Sequence, residues 1–445
     1  MLTNLALFTD LYELTMAQAY FDEEMTDDAV FSLFVRRLPP QRNFLLACGL
    51  DTVLDYLENL HFDADDLDYL ASLGEFSDRF LEYLRDFRFS GSVYAVPEGT
   101  PVFANEPILE VVAPILEAQI IETFIMNQIH VQTVLSSKAQ RVVMAAEGRS
   151  VVDFGSRRVH GIDAALKAAR AFYIGGVAAT SNVLAGKIYR IPVAGTMAHS
   201  YIQAHDDERE AFRRFAQHYP GTVLLVDTYD TLEGVRQIIE LANTQGEAFK
   251  ISAVRLDSGD LLALSIEVRE LLDQAGLGTV EIVASGGLNE DDISQLVSSG
   301  ARIDGFGVGS SMGVSNDAPD LDIVYKLCEY AGAGRLKLSP GKPILPGRKQ
   351  IFRASRNGAD LHDVVAQADE RLPGRPLLEA VMRNGERLAA GRVDLASARV
   401  YASQQIARLP EHVRILTPAE PPYRVEVSPE LFRYQKEVED KMRAM

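Results

Sequence analysis

Apolar and polar residues follow two different spacings along this chain. Before residue 118, Leu50 to Leu60 and Phe76 to Phe87 place apolar side chains at helical intervals, which predicts amphipathic helices. Phe31-Ser32-Leu33-Phe34-Val35 and Gly91-Ser92-Val93-Tyr94-Ala95-Val96 predict strands, the second stopping at Pro97-Glu98-Gly99. Glu117 to Arg141 predicts one long helix or a helix pair.

From residue 150 short β-rich runs take over, each ending in a polar residue or a glycine. They are Val151–Gly155, Ile191–Gly195, Val223–Asp227, Ala253–Asp257, Glu281–Gly286 and Ile303–Gly309. Helical patterns over Thr231–Asn243, Ala263–Ala275 and Glu290–Ser299 lie between them. Repeated strand–helix units with nearly continuous apolar strands predict a parallel sheet, and this many units predict a barrel. After Tyr330 the alternation fades, and strands followed by helices are expected. The expected class is α/β: an irregular TIM-like barrel over 119–330, an α+β domain over 1–118, and a segment over 331–445 packing back on that domain.

Composition narrows the function. A formal charge of −19 argues against nucleic-acid binding, which needs a basic face, but leaves room for a local arginine pocket holding a small anion. Two cysteines, Cys48 and Cys328, exclude a disulfide framework and point to a reducing cytoplasm. Met1-Leu2-Thr3-Asn4-Leu5 has no basic-then-apolar leader pattern, and no apolar run approaches the ~20 residues a membrane span needs.

The expected strand ends carry the chemistry, because in such sheets they open on one mouth. Arg157 and Arg158 follow Asp153-Phe154-Gly155; Thr196 and His199 follow Ile191–Ala194; Asp227, Thr228 and Asp230 follow the next run; Arg255, Asp257 and Asp260 lie in Val254–Asp260. The histidine can serve as proton shuttle, metal ligand, nucleophile or helix cap. The spacing of His199 and His205, beside Asp206 and Asp207, does not make a zinc site. The carboxylates Asp227, Asp257 and Asp260 can hold Mg²⁺, orient sugar hydroxyls, stabilise a cationic sugar carbon or pair with the arginines. Ser285-Gly286-Gly287 and Gly305–Ser311 let backbone amides approach phosphate oxygens. No lysine sits at a strand end for a Schiff base. Taken alone, these residues describe a barrel enzyme acting on an anionic, phosphorylated substrate.

Seven motifs in order also resemble one family. They are Thr9-Asp10-Leu11-Tyr12, Asp153–Arg158, Thr180–Gly186, Gly195–Ser200, Val254–Asp260, Gly307–Ser311 and Val324–Leu327. The chain resembles the nicotinate phosphoribosyltransferases. That resemblance implies synthesis of nicotinate mononucleotide and pyrophosphate from nicotinate and phosphoribosyl pyrophosphate in NAD salvage. It further implies ATP hydrolysis coupled through phosphorylation of His199, with Mg²⁺, and a homodimer sharing its active sites. Nicotinate is expected between Phe154 and Tyr12, the tyrosine coming from the partner. Its carboxylate is expected on Arg255 with Thr196, Asp257 near the ribose, and Arg157 beside the pyrophosphate or ring.

Gly286, Gly287, Gly307, Gly309 and Ser310, with Ser285, would cradle the 5′-phosphate, and Lys138, Arg141 and Lys337–Arg353 would add phosphate contacts. Ser181 and Asn182 stand where the nicotinamide enzymes carry an aspartate, which favours the acid as substrate. The alternatives are a nicotinamide phosphoribosyltransferase, a quinolinate enzyme, and a metabolite-binding barrel without catalysis.

Overall fold

The computed structural model describes residues 4–338 and 344–444. By internal contacts the chain forms two compact units, residues 1–137 with 320–445, and residues 138–319. The first division falls within the helix Glu122–Ala145, not at residue 118, and the second at 319/320, not at 330.

The first unit is built on a seven-stranded sheet of antiparallel pairs. Its order is Ala333–Gly334, Ile323–Tyr330, Asp28–Val35, Pro107–Pro114, Ser92–Ala95, Glu379–Arg383, Glu386–Arg387. Asp28–Val35 is apolar at nearly every position because it is central and buried on both faces. The expected helices form as Leu50–Asn59 and Asp78–Arg85, and the expected helix pair as Ile115–Ile120 and Glu122–Ala145. Phe80, Leu33, Leu54 and Val111 lie in the core of this unit. A four-stranded sheet (Arg375–Pro376, Lys349–Arg356, Ala359–Gln367, Arg424–Val427) completes the strands of the later segment.

The second unit is an α/β unit around a curled parallel sheet. Its strands are β1 (Ser150–Asp153), β2 (Ala179–Thr180), β3 (Thr222–Leu225), β4 (Ile251–Leu256), β5 (Glu281–Ala284) and β6 (Gly305–Val308). They hydrogen-bond in the order β2-β1-β6-β5-β4-β3, so the first and last strands are neighbours. The run Ile191–Gly195 does not become a strand. Its only ladder contact among the described residues is a single parallel bridge of Val193 to Thr180. Pro192 supplies a carbonyl to Thr180 N but has no N–H to give in return. The described sheet is therefore a half-barrel, with no pairing between the Val193 side and β3.

Helices follow the strands, and polar side chains at the strand exits begin several of them. Asn182, Asp230, Asp260 and Asn289 each accept a backbone N–H of the following helix. Because all six strands are parallel, the residues after their C-terminal ends share one edge of the sheet.

Candidate active site

At that edge of the second unit, β4 contributes the centre of a hydrogen-bonded cluster. The side chain of Arg255 is mostly buried and donates through all three of its nitrogens. Nε gives to Ser285 Oγ at 2.8 Å, Nη1 to Thr196 Oγ1 at 3.0 Å and the Met197 carbonyl at 3.3 Å, and Nη2 to Asp257 Oδ1 at 2.6 Å. Ser285 in turn donates to Asp257 Oδ1 at 2.5 Å. The other oxygen of Asp257 lies 3.7 Å from His199 Nε2, and His199 Nδ1 is 3.2 Å from Thr228 Oγ1. Residues from three separate loops thus meet around one guanidinium.

Burial works against an ionised Asp257. The hydrogen bonds from Ser285 and Arg255 and the nearby positive charge outweigh it and hold the carboxyl below its usual range. A carboxylate that stays charged while half-buried is suited to stabilising a developing cation. Asp227 supports it from β3: one of its oxygens accepts from Asp257 N at 2.9 Å and from Ser258 Oγ at 2.6 Å. Its other oxygen is buried without a hydrogen-bond partner.

Phe154 packs against this cluster. The Arg255 guanidinium lies 5.4 Å from its ring centroid. A Cβ on Gly307 would come within 2.4 Å of that ring, so glycine there makes room for Phe154. Gly286 has a similar reason: at φ +100°, its Cβ would lie 1.9 Å from the Asp257 carbonyl oxygen. Of the expected phosphate loops, Gly287 has open space around it, and Gly309 and Ser310 lead into the short helix Ser310–Gly313.

Several of the expected residues have other partners. Asp260 and Asn182 spend a side-chain oxygen on helix caps, to Ala263 N and Ala185 N, each at 3.1 Å. Ser285 is buried and turned to Arg255 and Asp257, not to an open phosphate site. Lys138 is buried and paired with Glu290 and, at 2.7 Å, with Asp317; Arg141 gives its Nε to Glu290 at 2.9 Å. Both cations are matched internally and are not free for phosphate. In the first unit, Lys349 is buried with Glu110 and two carbonyls, and Arg353 is buried in a bidentate pair with Asp363. Residues 339–343 of the expected Lys337–Arg353 contact segment lie outside the described residues.

Arg157 is exposed on the turn Ser156–Arg158, and Ser181 is half-buried with its N–H on the Asp153 carbonyl at 2.9 Å. Tyr12 belongs to the first unit, on the helix Leu11–Asp22, and is 48% exposed. Burial of its hydroxyl, with the carboxylates of Glu122, Glu13 and Asp10, raises its pKa. Among the described residues no group of three or more His, Cys, Asp or Glu side chains is arranged to hold a metal ion.

One structural residue escaped the sequence. Asp153 at the end of β1 is buried; one oxygen accepts from Gly155 N at 2.7 Å and the other from Thr180 Oγ1 at 2.7 Å. It ties the Phe154 loop to the Ser181 loop. Burial pushes its pKa up, against the two hydrogen bonds. The available signal was an acidic residue in an apolar strand, two positions before a glycine.

This arrangement can be set beside known proteins. A family model described as the nicotinate phosphoribosyltransferase (NAPRTase) family matches residues 149–363, and the model of the NAPRTase N-terminal domain matches 7–130. The chain belongs to the nicotinate phosphoribosyltransferase family. Nicotinate phosphoribosyltransferase pncB2 of Mycobacterium tuberculosis is 55% identical over 423 residues, covering 95% of this chain and 91% of that protein. The Bacillus subtilis nicotinate phosphoribosyltransferase is 42% identical over 380 residues, covering 83% and 77%. The crystal structure of human nicotinic acid phosphoribosyltransferase superposes with a TM-score of 0.86 at 28% identity, covering 97% of this chain and 99% of that one. The nicotinate phosphoribosyltransferase family match extends over both compact units, and within the second the Arg255–Asp257–His199 cluster lies inside it.

Proposed function

We infer that this chain transfers the phosphoribosyl group of phosphoribosyl pyrophosphate to nicotinate, forming nicotinate mononucleotide and pyrophosphate in NAD salvage. The observation that carries the chemistry is the contiguous set Thr196, Arg255, Asp257 and His199. The ring carboxylate of nicotinate meets the Arg255 guanidinium, and Phe154 packs on the ring. The pyridine nitrogen attacks C1 of the ribose, the C1–N bond forms as the C1–O bond to pyrophosphate breaks, and no proton changes place. Positive charge grows on the sugar as that bond lengthens, and ionised Asp257 faces it.

ATP coupling through His199 belongs to the same proposal. With the proton on Nδ1 given to Thr228, Nε2 keeps its lone pair for the γ-phosphoryl group. Mg²⁺ fits as the ion accompanying the phosphorylated substrates, and it would screen their charge. Asp227 would hold it, since one of its oxygens has no hydrogen-bond partner.

A homodimer that brings Tyr12 to the partner's ring site is supported by exposed apolar side chains on both units. Phe8, Leu11, Tyr12 and Met16 lie on one, and Ile162, Val183, Leu184, Ile188 and Val193 on the other. Buried Cys48 and Cys328 suit the cytoplasm. No described helix is long and apolar enough to cross a membrane. The β1–β6 pairing and the Val193 bridge favour reading the sheet as an irregular barrel of the TIM type.

The nicotinamide alternative is disfavoured by the neutral Ser181 and Asn182 after β2, since the side-chain oxygen of Asn182 caps a helix instead of facing an amide. Competing nicotinate against nicotinamide in one reaction with phosphoribosyl pyrophosphate tests the choice. Nicotinate mononucleotide should dominate; predominance of the amide product would refute it.

A further inference from the structure

An arginine side chain carries five N–H donors and presents two edges to a carboxylate, the Nε/Nη2 edge and the Nη1/Nη2 edge. On Arg255 the first edge is closed. Ser285 Oγ takes Nε at 2.8 Å, Asp257 Oδ1 takes Nη2 at 2.6 Å, and the two acceptors are joined by the Ser285–Asp257 hydrogen bond of 2.5 Å. The second edge is held by neutral oxygens alone, Thr196 Oγ1 at 3.0 Å and the Met197 carbonyl at 3.3 Å, both on Nη1. One Nη2 hydrogen is not engaged in these contacts.

Displacing Asp257 would strip a half-buried carboxylate of its cation, whereas turning aside a threonine hydroxyl breaks only a neutral acceptor's bond. Ser285 holds the closed edge from both sides: its oxygen accepts from the guanidinium, and its single hydrogen is spent on Asp257. It is 2% exposed, at the end of β5, so it has no conformational freedom to serve elsewhere.

We propose that Ser285 is a positioning residue that locks the Nε/Nη2 edge of Arg255 to Asp257 and so commits the Nη1/Nη2 edge to the carboxylate of the substrate. This rests on the assignment of nicotinate to Arg255. One guanidinium then bridges two carboxylates, that of Asp257 on the sugar side and that of the ring on the other. Thr196, released from Nη1, turns its hydroxyl hydrogen from the Met197 carbonyl, 3.1 Å away, to the incoming carboxylate. The sequence gives this serine a different task, a contact to the 5′-phosphate, and the two assignments predict opposite kinetics.

Steady-state kinetics of the full chain with nicotinate, phosphoribosyl pyrophosphate and Mg²⁺, for wild type, Ser285→Ala and Ser285→Cys, separates them. Cysteine keeps the volume and removes the strong hydrogen bonds, so it stands in if alanine disturbs packing. Loss of one orienting, charge-assisted hydrogen bond should raise the KM for nicotinate about tenfold in both variants. The KM for phosphoribosyl pyrophosphate should stay within about twofold, below the effect of a typical lost hydrogen bond. A rise confined to phosphoribosyl pyrophosphate, an equal rise for both substrates, or no rise would overturn the positioning role. A wild-type protein that forms no nicotinate mononucleotide would instead overturn the reaction on which the proposal rests.

Discussion

His199 meets a different neighbour through each ring nitrogen, Thr228 through Nδ1 and Asp257 through Nε2. The hydrogen bond at Nδ1 orients the ring, while Nε2, 3.7 Å from the nearest Asp257 oxygen, is left to attack. His199→Ala should therefore abolish stimulation by ATP while slow, ATP-independent transfer persists, because Arg255 and Asp257 keep their own partners. Equal ATP stimulation in the variant would place the phosphoryl group elsewhere. At this scale much of the site was legible: His199, Arg255, Asp257, Thr196 and Phe154 each lie in or just after an apolar run, and the structure brings them together. What was not legible is which cations are already matched. Lys138 and Arg141 look available in the sequence because their partner Glu290 lies 152 and 149 positions away. Asp153 was passed over because its role is to hold two backbone turns, and nothing in residue type alone announces that.

The loop after β5 shows how an element is held for its task. Gly287 and its neighbours reach the helix Glu290–Ser298, whose first residue anchors Lys138 and Arg141 from the helix Glu122–Ala145. Burial alone would raise the pKa of Glu290, but Lys138 and Arg141 reverse this and hold it below 4.5. A carboxyl depressed on folding contributes stability that is present above its unfolded pKa and is lost as pH falls through the folded one. Glu290→Gln should lower stability at neutral pH by about 3 kcal/mol, because it leaves two buried cations short of an anion. It should also flatten the loss of stability below pH 4.5. Denaturant unfolding of both proteins across that range checks this, and an unchanged midpoint at pH 7 would contradict it.

Element prediction was strongest where periodicity was long, as for Leu50–Asn59 and Glu122–Ala145. It failed at Ile191–Gly195, where the apolar run is real but Pro192 cannot complete a ladder. The described strands accordingly form a curled half-barrel, with Val193 joined to Thr180 by a single bridge.

For the whole molecule, the acidic charge of −19 leaves binding of anionic substrates to a few local arginines, and Arg255 is the one the site is built around. The dimer proposal places Tyr12 and Arg255 of one site on different chains. Tyr12→Ala and Arg255→Ala should each be nearly inactive alone. Mixed in equal amounts and allowed to exchange subunits, they should regain about a quarter of wild-type activity, since half the dimers would carry one intact site. No recovery after demonstrated exchange would show that each chain completes its own site.

The central claim is a chemical one, that this chain makes nicotinate mononucleotide. The most direct measurement incubates the purified chain with nicotinate, phosphoribosyl pyrophosphate and Mg²⁺, with and without ATP, and quantifies nicotinate mononucleotide and pyrophosphate together. The account predicts equal amounts of the two products without ATP and a faster yield with it. No nicotinate mononucleotide under either condition would contradict it.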